Sequence, residues 1–180
     1  MKQLIAKARQ AQMKIWISSA ATEQETYAAT ELRHYLEFMT GAIFEIVVDR
    51  PDACIAIGGT AQKLANFDED LGHEGSQIKT VGNSLGIFGG NRGVIYGVYE
   101  FLERLGCRFF SALCEKVPVQ EELLLPELNV RQVPIFEFRD HNYYEFRKYT
   151  RFAVKLRING GDIDEKFGGS MKYALNVHTF

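Results

Sequence analysis

The sequence predicts an α+β fold over residues 1–133, a mixed β-sheet with two helices packed on one face, followed over 134–180 by the start of a second unit. Three observations carry this expectation. Two helical stretches share the same apolar spacing and each closes at a glycine. The strand-like runs between them include a tight hairpin, so strand directions are mixed. After Pro134 a strand-like run leads into one helical stretch. Matched helices beside a hairpin-containing sheet describe a two-layer arrangement rather than a doubly wound one.

In chain order, Met13 to Ile17 is rich in β-formers and reads as a first strand, closed by Ser18 and Ser19. Thr22 and Glu25 form a capping box, in which hydroxyl and carboxylate satisfy orphan amides at a helix start. The helix that follows carries Ala28, Leu32, Tyr35 or Leu36, and Met39 on one face, and Gly41 supplies its left-handed C-terminal cap. Ile43 to Val48 is a second strand. Cys54 to Ile57 is a third, apolar on both faces and so expected mid-sheet. Gln77–Val81 and Leu85–Phe88 pair as a hairpin across Gly82-Asn83. A second helix opens after Asn91, with Val94, Val98, Phe101 or Leu102, and Leu105 on its stripe and Gly106 at its end. From Val117 to Val133 three prolines border an irregular stretch, which sets the expected boundary. Beyond it, Ile135 to Arg139 reads as a strand and Glu145 to Arg157 as a helix.

Composition narrows the function classes. Hydrophobic residues make up 46% and charged residues 24% of the 180, ordinary values for a folding chain. The formal net charge of −2 comes from well-mixed signs, which leaves no basic stripe for nucleic acid. No apolar run is long enough for a membrane-spanning helix. Residues 1–12 show no secretory signal, and the compartment is left open. Cys54, Cys107 and Cys114 have no metal-ligand spacing, and the first two read as small buried hydrophobes. His34, His73, His141 and His178 likewise offer no metal pattern, so neither a metal nor a cofactor is expected.

Two constellations could carry chemistry. Gly89-Gly90-Asn91-Arg92-Gly93 joins a strand to a helix, where free amides and the helix dipole can hold an anion. Its other reading is a tight turn that packs helix against sheet, with Arg92 as an interdomain contact. The run Arg139-Asp140-His141-Asn142-Tyr143-Tyr144 gathers polar and aromatic groups directly after a strand-like segment, as a sugar site requires, or else forms an ordinary polar turn. Nothing in residues 1–133 advertises the paired carboxylates of glycoside hydrolysis. Glu23, Glu25, Glu31 and Glu37 read as a solvated helix face.

Glu25 to Gly41, Ile55 to Gly58 and Gly89 to Arg108 together resemble the N-terminal non-catalytic domain of α-glucuronidases and their glycoside-hydrolase-like relatives. A similar domain precedes the barrel of β-N-acetylhexosaminidases. Pro134 to Arg139 resembles the first strand of that (β/α)8 barrel, Arg157 to Gly160 its second, and Gly168 to Phe180 a loop of the uncharacterised relatives. The resemblance implies a non-catalytic accessory domain of a carbohydrate-active protein, of a kind often exported. Its partner would be a barrel mostly absent from this chain, since a barrel takes about 250 residues. It also implies that Arg139, His141, Asn159 and His178 could line a sugar site. Two other readings stand beside it: a free-standing module binding sugar or phosphate at the Gly89–Gly93 turn, and an interaction domain that forms a homodimer through apolar surface after Pro134.

Overall fold

The computed structural model describes residues 3–68 and 70–172. From the N-terminus, β1 (Leu4–Lys7) and β2 (Gln10–Ala11) form a hairpin, and β3 (Lys14–Trp16) enters the main sheet. Helix α1 (Glu23–Thr40) is followed by β4 (Ile46–Val47), β5 (Cys54–Ile57) and a 3-10 turn at Gly58–Lys63. The hairpin β6 (Ser76–Val81) and β7 (Ser84–Gly89) leads into α2 (Gly93–Arg104). Then come β8 (Arg108–Ser111), β9 (Cys114–Lys116), β10 (Glu122–Leu124) and β11 (Asn129–Gln132). Last are the short helices α3 (Tyr144–Lys148) and α4 (Thr150–Lys155) and a 3-10 turn at Glu165–Phe167.

The six-stranded sheet runs β11-β6-β7-β5-β3-β4. Its four strands β7, β5, β3 and β4 are parallel, β6 runs against them, and β11, antiparallel to β6, runs with them again. The sheet is therefore mixed, as expected. Period-2 alternation sends Ile15, Ile55, Ile57 and Ile87 into one cluster with the α1 and α2 stripes. Trp16, Cys54 and Ala56 go to the opposite face, under Ala61 and Phe67. Both long helices thus lie on one face, and a single 3-10 segment and its continuation cover the other. Every residue of β5 is buried. Each fully buried Ile or Leu in this core contributes about 1.5–3 kcal/mol.

Local chemistry explains the helices. The Thr22 hydroxyl accepts from the Glu25 amide at 3.1 Å, and the Thr22 amide donates to the Glu25 carboxylate at 2.9 Å. The other Glu25 oxygen accepts from the Gly59 amide at 2.8 Å, which ties the start of α1 to the far end of β5. Gly41 ends the helix at φ +66°. In α2, Gly97 sits so close to the sheet that a Cβ there would meet the Ile87 side chain at 2.8 Å. Cys54 and Cys107 are buried, and burial raises both thiols, Cys107 to about 11.

Several expectations are corrected. The stretch from Val117 to Val133 is not irregular. β10 pairs with β1 in a three-stranded sheet, and β11 forms the edge of the main sheet beside β6. Ile43–Val48 shrinks to the two residues of β4, because Phe44 turns inward and its amide bonds the Glu37 carboxylate. Among the described residues, Ile135–Arg139 forms no strand. The helix expected over 145–157 is broken at Tyr149, which takes φ −120° and ψ 74°. Arg157–Gly160 is a turn, with Arg157 at φ +61°. Among the described residues, no helix is long and apolar enough to cross a membrane.

Candidate functional site

The Gly89–Gly93 turn is a packing device. A Cβ at Gly90 would lie 1.9 Å from the Gly72 carbonyl oxygen, and one at Gly93 would lie 2.0 Å from that of Gly75. Only glycine lets the loop 72–75 approach this closely. The amides an anion would need are already used. Gly90 donates to Gly75 O at 3.1 Å, and Arg92 and Gly93 donate to His73 O at 2.9 and 3.1 Å. Exposed Asn91 stands at the rim.

That close approach sets Glu74 beside Arg92, and here the structure builds a centre that sequence reasoning missed. The Glu74 carboxylate lies 2.8 Å from Arg92 Nε and 2.7 Å from an Arg139 terminal nitrogen, with the three side chains 11%, 11% and 21% exposed. Asn159, fully buried, donates from Nδ2 to the same carboxylate at 2.8 Å and to the Glu137 carbonyl at 2.6 Å. Its Oδ1 accepts from the Arg139 amide at 2.8 Å. Arg139 Nε donates to Arg157 O at 2.7 Å, and Arg92 reaches out to Gly169 O at 2.7 Å. The Tyr96 hydroxyl sits 3.5 Å from Glu74, and burial, then that carboxylate, pushes its pKa to about 12. One carboxylate from the loop before β6 thus gathers groups from α2 and from two places after Pro134. Arg92 Nε, although 2.8 Å from Glu74, makes no well-directed hydrogen bond, so Arg92 contributes an ion pair while Arg139 and Asn159 supply the hydrogen bonds that a carboxylate taken from water requires.

The sequence-predicted residues divide. Arg139, Asn159 and Arg92 come together around Glu74, with the Arg139 guanidinium spent on that carboxylate and on backbone carbonyls. His141 is apart from them, exposed and stacked on Tyr143 at 4.1 Å between ring centroids. His178 lies outside the described residues. The only sequence hint of Glu74 was its position in a turn two residues ahead of a strand.

A second buried acid corrects the reading of α1 as a plain solvated face. Glu31 is 6% exposed, accepts from the Tyr99 hydroxyl at 2.6 Å and pairs with Arg151 at 2.9 Å. Burial raises the Tyr99 and Tyr27 hydroxyls, and the nearby Glu31 charge adds to it. Glu31 stands three residues after Ala28 and four before Tyr35, on the border of the apolar stripe, which is the signal that places it inward. Both buried acids therefore face guanidinium groups, as structural ion pairs do. Among the described residues, no group of histidine, cysteine or acidic side chains could hold a metal.

No family model and no curated protein matches this chain. Solved structures do. A GH115 4-O-methyl-α-glucuronidase with specificity for decorated arabinogalactans aligns over 85% of this chain with a TM-score of 0.63 and 15% identity. The GH20 β-N-acetylhexosaminidase of Streptomyces coelicolor A3(2) aligns over 90% with a TM-score of 0.54 and 13% identity, and a Streptomyces plicatus β-hexosaminidase over 89% with 0.52 and 13%. The chain spans only 25%, 32% and 31% of those proteins, respectively. At such identities the likeness is one of fold, and the fold is that of a minor portion of these glycoside hydrolases.

Proposed function

We propose that this chain acts as a non-catalytic accessory domain of a carbohydrate-active protein, bracing a neighbouring barrel through the segment after Pro134. The observation that carries the reading is the Glu74 network. A domain that supports a neighbour needs a rigid joint, and a carboxylate clasping Arg92 on one side and Arg139 and Asn159 on the other is one. The surface beyond the joint supports the same reading. Ile135 is 92% and Phe136 74% exposed, and Tyr143 and Tyr144 are exposed as well, apolar side chains suited to being covered. Glu31 and Glu74 are each engaged by arginine, which leaves them as poor candidates for proton transfer to a glycoside.

The test is direct. Purified chain incubated with aryl glycosides and with uronic-acid oligosaccharides is expected to give no turnover, and turnover that survives repurification would overturn the proposal. The intact mass of the protein made by its own host, measured alongside, is expected to exceed that of residues 1–180.

A further inference from the structure

A cleft of about 500 Å³ opens between α1, α4 and the Glu165–Phe167 turn. That is within the roughly 300–1,000 Å³ of small-molecule sites. Its walls are set by packing and not by loops alone. Tyr27 is held edge-on by Phe167 at 4.7 Å between centroids, and Gln24 Nε2 donates to Glu165 O at 2.9 Å. Phe152, 5% exposed, closes the floor.

Charge is unevenly spread there. Four basic side chains line the cleft against two acidic ones, in a chain whose net charge is −2. Their states differ in an informative way. Arg151 is oriented by buried Glu31, yet its side chain remains 46% exposed. Lys155 is committed to Glu115 at 2.7 Å. Lys166 touches Asp164 only at 3.6 Å, with both side chains half exposed. Lys148 has no acidic partner among the described residues and lies over the Tyr144 and Tyr149 rings. A fixed guanidinium and two loosely held ammonium groups thus line a cleft that also presents the rings of Tyr27 and Tyr149.

We propose that this cleft binds a small ring-bearing ligand with one oxyanion group, carboxylate or phosphate, the ring packing on the tyrosines that line it and the anion meeting Arg151, Lys148 and Lys166. The site uses side chains other than those of the Glu74 joint and does not depend on the accessory role. Titration of the full chain followed by amide NMR, using glucose 6-phosphate, glucuronate, inorganic phosphate and glucose, tests it and tells a phosphate from a carboxylate source. At least one of the two charged sugars is expected to shift resonances at 27, 148–151 and 164–167, and glucose to shift none. The Lys148→Ala/Lys166→Ala variant, altered only at exposed positions, should bind about tenfold more weakly, as loss of two solvent-screened ammonium contacts implies. Glucose binding as tightly as the charged sugars, inorganic phosphate binding as tightly as either, shifts confined to 89–93, or unchanged affinity in the double variant would each overturn the proposal.

Discussion

The chain holds together by two different means on either side of Gln132. Before it, backbone is satisfied by backbone: β5 has β7 on one side and β3 on the other, and even the two ends of the region meet where β1 pairs with β10. After it, strand ladders stop among the described residues, and side chains take over. Asn159 holds the backbone of Arg139 and Glu137, and Arg139 holds the carbonyls of Phe136 and Arg157. Apolar packing is shared, since Phe152, Val154 and Phe167 join the same core as α1 and α2. A region with ladders tolerates loss of one side chain; a region strung on a few buried polar groups does not.

Breaking the hub should therefore produce the largest effect. Glu74→Ala leaves Arg92 and Arg139 without their counter-charge and is expected to cost about 3–5 kcal/mol, read as a lowered denaturation midpoint. Hydrogen exchange should accelerate most at 139–169, and uniform acceleration across β5 and β7 would erase the distinction between the two regions. Next, Asn159→Ala removes a fully buried amide that bonds Glu74, Glu137 and Arg139, with an expected loss of about 1–3 kcal/mol. Its exchange pattern should match that of the Glu74 variant. Thr22→Ala, which strips the cap from α1 in the laddered region, is expected to cost only about 1 kcal/mol and to leave the distal segment unaffected.

The same contrast decides what was legible in the sequence. α1 could be read because its signals are local: Thr22 and Glu25 at one end, Gly41 at the other and an apolar stripe between. The β6–β7 hairpin could be read because Gly82, at φ +59°, marks its turn. β11 could not, since Asn129–Gln132 is mostly exposed and earns its place only from a partner some fifty positions earlier in the chain. Ile135–Arg139 misleads in the opposite sense, with the residue types of a strand but no strand formed among the described residues. Glu74 was invisible because nothing near it in sequence says that Arg92, Arg139 and Asn159 converge there. The Gly89–Gly93 turn was recognised as a strand-to-helix joint, but whether its amides were free depended on the carbonyls of His73 and Gly75.

The smallest effect is a matter of pH and concerns the joint between β9 and α4. Burial alone would raise the Glu115 carboxyl, but the hydrogen bonds from Lys155 at 2.7 Å and Tyr35 at 2.8 Å, together with the Lys155 charge, outweigh it and lower the pKa. The folded chain then holds this proton less readily than the unfolded one. The stabilisation is complete above 4.5, the ordinary glutamate value, and is lost as pH falls from there through the lowered folded value. In Glu115→Gln that acid-sensitive contribution disappears, so its denaturation midpoint should fall less steeply below 4.5 than that of the wild type. Because the Glu115 side chain is 35% exposed, added salt should shrink the difference. Identical slopes at low salt would mean that the Lys155 contact is screened away and that α4 is held to the sheet region by Phe152 and Val154 alone.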